Sequence, residues 1–193
     1  MKQLRSVAAA AALLACGLAQ AAPAGSIFVT EPGADGFNIN TLVFNGSSYD
    51  IQKLTFDFSS SVTEDGSNLI IDGSPWSVVS PAGGSALFFG SGAVFGFDFT
   101  NFNTFDTFSF AWDPDSAISG SYGASSLDFL GATVTAVTTN GVYSGVFERV
   151  GLTLDVSAAL APVAAVPEPA TYALTLGGLM VAGWAARRKS KQA

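Results

Sequence analysis

Phe95-Gly96-Phe97-Asp98-Phe99 places an aromatic ring at every second position and leaves Gly96 and Asp98 between the rings. Side chains on a β-strand alternate with a period of two, so all three rings share one face and Asp98 takes the other. A helix would scatter them around its circumference. The same alternation recurs at Leu54-Thr55-Phe56-Asp57-Phe58 and at Phe108-Ser109-Phe110-Ala111-Trp112, and less regularly at Val142, Phe147 and Val150. Strands with one strongly apolar face need a second layer to cover it, which predicts two packed antiparallel sheets.

Working outward, further strands are expected at Ile27 to Thr30, Phe37 to Phe44, Leu69 to Ile71, Trp76 to Val79, Ala86 to Phe89, Leu127 to Leu130, Thr133 to Thr138 and Leu152 to Val156. Gly, Asn, Asp, Pro and Ser separate them at short intervals, and Asn140-Gly141 is a strong hairpin signal because a type I′ turn needs positive φ at both central residues. No stretch between Gly25 and Leu160 carries a 3.6-residue apolar period. The expected fold is all-β, an antiparallel β-sandwich of jelly-roll-like character with about eight to ten strands.

Both ends of the chain read differently from this body. Val166-Pro167-Glu168-Pro169 leads into an apolar run from Ala170 to Ala186, followed at once by Arg187-Arg188-Lys189-Ser190-Lys191. As a helix the run would extend roughly 26 Å, a short transmembrane span against a hydrocarbon core of about 30 Å. Tyr172 and Trp184 sit near its ends, where amphipathic rings favour the membrane interface, and the basic cluster belongs on the cytoplasmic side. The prolines flanking Glu168 keep that peptide extended.

These residues resemble the PEP-CTERM sorting signal of Gram-negative bacteria. The resemblance implies that an exosortase, a membrane-embedded cysteine transpeptidase, reads Val166, Pro167, Glu168 and Pro169. Arg187, Arg188, Lys189 and Lys191 would form the cytoplasmic basic tail. It further implies a transient inner-membrane anchor, then delivery to the cell surface or extracellular polysaccharide matrix.

The N-terminus supplies a matching address. Lys2 and Arg5 precede an apolar stretch from Val7 to Leu18, and Ala19-Gln20-Ala21 suits signal peptidase, so the mature protein is expected to begin near Ala22. Leu13-Leu14-Ala15-Cys16 also reads as a lipobox with Cys16 as the lipidated residue. The expected organisation is a signal peptide at 1–21, an exported sandwich at 22–160, a spacer at 161–165 (Ala161-Pro162-Val163-Ala164-Ala165) and the sorting signal at 166–193.

Of the eight basic residues, six lie in the two terminal segments, leaving Lys53 and Arg149 against fourteen carboxylates between Glu31 and Asp155. The body therefore carries a formal charge of about −12, which argues against nucleic acid as a partner, because phosphate binding needs clustered Lys and Arg. Cations and neutral glycans are the natural partners of such a surface. Cys16 is the single cysteine, so the body holds together without disulfides.

The chain has no histidine. That excludes Ser-His-Asp and Cys-His nucleophile systems and His-ligated zinc, and no glycine-rich phosphate loop with its lysine is present. In Trp112-Asp113-Pro114-Asp115-Ser116, Asp113 and Asp115 are candidate oxygen ligands for Ca²⁺, with Trp112 as a sugar-stacking platform. The same residues also read as an Asp-Pro turn closing a strand. A second polar loop, with Pro32, Gly33, Asp35, Gly36 and Asn38, offers further ligand chemistry. Asp57, Asp98, Asp128 and Asp155, each flanked by apolar residues, are expected on a solvated outer face. Glu31, Glu64 and Glu148 are the carboxylates to watch for a paired-acid glycoside hydrolase.

Together these features point to a non-enzymatic surface or matrix protein with a structural or adhesive role beside exopolysaccharide, with no cofactor. A calcium-dependent carbohydrate-binding module is the alternative, and a glycoside hydrolase the third reading.

Overall fold

In the computed structural model, residues 27–31, 38–63, 65–118, 124–164 and 176–180 are described. Among the described residues eleven strands run in chain order: β1 (Ile27–Glu31), β2 (Ile39–Asn45), β3 (Ile51–Asp57), β4 (Leu69–Val79), β5 (Ser85–Ser91), β6 (Val94–Phe102), β7 (Thr107–Ser116), β8 (Thr133–Thr138), β9 (Gly141–Val146), β10 (Glu148–Arg149) and β11 (Val156–Pro162). All pairings are antiparallel, along the path β4-β7-β2-β1-β11-β9-β8-β3-β6-β5, with β10 also on β11. The two expected layers are joined into one sheet, because β11 belongs to both. Its residues Val156 to Leu160 pair with β1, while Ala161 and Pro162 pair with Ser144 and Tyr143 of β9. At the opposite edge, the Ile71 amide donates to the Gly92 carbonyl at 3.1 Å and nearly closes the sandwich. Closure leaves few strand edges free to template another chain.

The aromatic alternation builds the core. Phe95 and Phe97 of β6 and Phe56 of β3 face Phe108, Phe110 and Trp112 of β7. Centroid separations are 4.7 Å for Phe97–Phe108, 5.0 Å for Phe95–Trp112 and 5.7 Å for Phe56–Phe110. Two of these pairs meet edge-on, which sets the positive rim of one ring on the negative face of the next.

Gly96 sits where the outward position between these rings has no room. A Cβ there would overlap the Leu54 carbonyl and lie 2.7 Å from the Phe89 ring. The carbonyl is ladder backbone and has nowhere to move. Gly96→Ala is therefore expected to destabilise the protein by about 1–3 kcal/mol through overpacking. Urea unfolding of the purified full chain measures it, and an unchanged midpoint would mean that the two strands are further apart than described.

Several expected elements differ. Leu127 to Leu130 is a 3₁₀ turn, Ser126–Phe129, rather than a strand. The Asp128 carboxylate accepts hydrogen bonds from the Ser125 amide at 2.8 Å and hydroxyl at 3.1 Å, and this local capping outcompetes a ladder. Leu152 to Asp155 is loop: the Val150 amide donates to the Asp155 carbonyl, and Leu152 is 95% exposed. The 69–71 and 76–79 segments are one strand, β4, carried across bulges where Gly73 and Ser77 adopt positive φ. The β8–β9 turn is centred on Thr139 and Asn140, one residue earlier than expected, with the Thr138 hydroxyl donating to the Gly141 carbonyl at 2.9 Å. Ala161 and Pro162 are strand, not spacer, and the Val163 amide still donates to the Val142 carbonyl.

The chain divides into two units, 1–163 and 164–193. Within the second, residues 176–180 are helical; the rest of the expected span at 170–186 lies outside the described residues. Among the described residues no helix is long and apolar enough to cross a membrane.

Candidate functional site

Asp113-Pro114-Asp115 is not a turn; it continues β7. From Ser109 to Trp112 this strand lies between β2 and β4, whereas among the described residues Asp113 to Ser116 pair with β4 alone. Pro114, which has no amide to donate, occupies the part that β2 does not reach. Its carbonyl accepts from the Ala124 amide at 2.9 Å. Alternation sends Phe108, Phe110 and Trp112 into the core and turns Asp113 and Asp115 to the opposite face.

There they meet Asp72 of β4, which is directly opposite Asp113 in the ladder. One carboxylate oxygen from each of the three lies within 4.8 Å of the others. Asp72 is exposed and Asp113 half-buried, while Asp115 is only 3% exposed. The buried Oδ1 atoms of Asp113 and Asp115 have no hydrogen-bond partner. Burial pushes both carboxyls above the ordinary aspartate range; Asp115 and Asp72 add repulsion at Asp113, and Asp72 adds it at Asp115. Neither basic residue of the described sandwich offers relief. Lys53 is 3.6 Å from Asp98 and 4.1 Å from the Phe89 ring centroid, and Arg149 donates to the Thr153 and Leu152 carbonyls.

A nearby carboxylate shows what ordinary satisfaction looks like. Asp65 accepts from the Ser116 hydroxyl, from the Thr63 hydroxyl at 2.7 Å and from the Ser67 amide at 3.0 Å. Those bonds, led by Ser116, hold its carboxyl below the usual range.

Trp112 is not a stacking platform. It is 0% exposed, packed between Phe58, Phe95 and Phe129, and its indole N–H donates to the Thr41 hydroxyl oxygen at 2.9 Å. The inward phase of β7 leaves no face of the ring for a sugar. Thr41 in turn donates to Glu31 Oε1 at 2.6 Å. Glu31 is fully buried at the end of β1, its Oε2 has no partner, and burial pushes its carboxyl up to about 8.

The remaining expected residues scatter. Asp57 and Asp98 do lie on the outer face, and the Ser59 amide donates to Asp57. Asp128 caps a 3₁₀ turn, Asp155 lies in a loop, and Glu148 is exposed on β10. Glu64, Pro32, Gly33, Asp35, Gly36, Cys16 and the 1–21 segment lie outside the described residues, as do Val166, Pro167, Glu168, Pro169, Arg187, Arg188, Lys189 and Lys191. Asp72 and Glu31 were the positions that mattered more than sequence indicated. Only Asp72 carried a local signal, an Asp-Gly pair after the apolar run Leu69-Ile70-Ile71.

Residues 165–189 match the family model described as the PEP-CTERM protein-sorting motif, a span that includes Pro167-Glu168-Pro169 and Arg187-Arg188-Lys189. Comparison with curated proteins and with solved structures returned no match. The motif marks an exported protein that is processed by an exosortase and passes through a transient membrane anchor.

Proposed function

We propose that the sandwich is a non-enzymatic structural or adhesive component of the cell surface or exopolysaccharide matrix of a Gram-negative bacterium. The observation that carries this reading is the sorting motif at residues 165–189, which marks an exported protein processed by an exosortase and so supports a destination outside the cell. The body supports it in two ways. Its two basic against fourteen acidic side chains keep it soluble and repel nucleic acid, leaving glycans and cations as partners. Of the glutamates considered for paired-acid glycoside hydrolysis, Glu31 is sealed in the core against Thr41 and Glu148 lies exposed on β10, while Glu64 lies outside the described residues. The burial of Trp112 removes the aromatic platform that motivated a carbohydrate-binding module.

Fractionation of native cells tests the reading. The wild-type protein is expected at the surface or in the matrix with its tail removed, and the Pro167→Ala, Glu168→Ala double variant is expected in the inner membrane at full length. Delivery of the variant to the surface would remove the basis of the proposal. The released protein should also co-sediment with host exopolysaccharide without shortening it. Depolymerisation by the purified protein would overturn the non-enzymatic assignment.

A further inference from the structure

We propose that Asp72, Asp113 and Asp115 together hold a calcium ion on the outer face of the β4–β7 pair. Three observations converge there. First, two aspartates stand directly opposite each other on paired strands, an arrangement that is destabilising when both are charged and nothing lies between them. Second, their oxygens and that of Asp115 fall within 4.8 Å, the separation that ligands of one ion can have when each is about 2.3–2.6 Å from it. Third, and independently of charge clustering, the carboxylate of the 3%-exposed Asp115 directs an oxygen without any hydrogen-bond donor into the group. A buried polar oxygen left alone is costly, and native structures supply it with a partner. Neither Asp113 Oδ1 nor Asp115 Oδ1 has one.

Calcium suits the donors. All three are hard carboxylate oxygens, and the sandwich has neither histidine nor cysteine to favour zinc or copper. Asp72 is exposed, so water can complete a shell of about six to eight oxygens. The two strands are already fixed by ladder bonds from Leu69↔Ser116 to Asp72↔Asp113, so the ligands are preorganised. One buried, one half-buried and one exposed carboxylate ligand predict binding in the range of extracellular modules, roughly 10⁻⁴–10⁻³ M.

The test uses the purified full chain in mild detergent, melted in EDTA and then in about 10 mM CaCl₂. At that excess over the expected dissociation constant, calcium should raise the melting temperature by about 5–10 °C. Isothermal titration with CaCl₂ should give one site per chain. The Asp113→Asn, Asp115→Asn double variant should melt no lower than wild type in EDTA, because repulsion is gone, and should ignore calcium. Asp72→Asn, at an exposed position, should weaken calcium binding by about tenfold or more and, having lost the repulsion toward Asp113, should melt no lower than wild type in EDTA; it keeps the question open to measurement even if the double variant folds poorly. A wild-type protein with no calcium response overturns the proposal, and so does an undiminished response in Asp72→Asn and the double variant. The result is independent of where the cell delivers the protein.

Discussion

Trp112→Ala is expected to lower the unfolding free energy by about 3–5 kcal/mol, enough to remove most of the stability of a domain of this size. The ring fills the space where the two layers meet, with centroids 5.0 Å from Phe95, 5.3 Å from Phe129 and 5.4 Å from Phe58. These partners come from β6, the 3₁₀ turn and the residue just past β3, so the cavity opens between three segments that have no shared backbone to collapse together. Rigid surroundings keep the cavity and its lost dispersion contacts. Trp112→Phe separates packing from polarity. It retains most of the ring and deletes the indole N–H to Thr41, so its cost is expected at about 1–2 kcal/mol. Guanidinium unfolding followed by far-ultraviolet circular dichroism compares the three proteins without relying on the tryptophan itself. A surface platform for sugars would behave in the opposite way: its alanine variant would unfold within about 0.5 kcal/mol of wild type. That result would reinstate Trp112 as a ligand residue and contradict the inward phase of β7.

The contrast between Trp112 and its neighbours explains which features were legible in the sequence. Alternation is a one-dimensional pattern, so Phe95, Phe97, Phe108 and Phe110 announced their strands and their shared inward face directly. Trp112 continued the same alternation, and its burial was implied by it. A stacking role was suggested by the candidate ligands Asp113 and Asp115 next to it, in a segment where Asp113-Pro114 also reads as a turn closing the strand. Proline has that meaning in a central strand; beyond Trp112, however, β7 has lost β2 as a neighbour and tolerates it. Whether a strand has one partner or two is a property of topology, which periodicity does not encode.

The same limit applies to the acidic site. Asp113 and Asp115 were visible as a pair, while Asp72, forty-one positions before Asp113, joins them only through the β4–β7 register. Two bulges lie between Asp72 and Val79, so counting residues along β4 would have misplaced that register. Asp128 fails for a different reason. Leu127-Asp128-Phe129 has the same apolar–acid–apolar form as Phe97-Asp98-Phe99, but Ser125 precedes it and supplies the donors of a local cap. Three residues are too few to distinguish a strand from a capped turn. The sorting signal was legible because it is read as linear sequence, its parts lying next to one another in the chain.

Glu31 yields the second large effect, and its sign is unusual for a carboxylate. In the unfolded chain Glu31 titrates near its ordinary 4.5; in the folded protein burial raises that to about 8, outweighing the opposing influence of the Thr41 hydrogen bond. Between those values the folded state keeps a proton that the unfolded state releases. Stability therefore falls as pH rises through this window, by up to about 1.4 kcal/mol per pH unit, and levels off above the folded value. The difference accumulated by pH 8.5 amounts to a few kcal/mol. Glu31→Gln has nothing to release. Its amide oxygen can still accept from Thr41, and its nitrogen takes the place of an Oε2 that already lacks a partner. The variant should match wild type to within about 1 kcal/mol near pH 5 and exceed it by roughly 2–4 kcal/mol at pH 8.5. Taking the difference between the two proteins at each pH cancels the titrations of Asp113, Asp115 and Asp65, which both share. Urea midpoints at the two pH values, in EDTA so that calcium plays no part, give that difference. Parallel pH profiles would mean that Glu31 is ionised in the folded protein and that water or a cation reaches its second oxygen; a gap that widens with pH means that the end of β1 holds a neutral acid, bound through Thr41 to the tryptophan at the centre of the core.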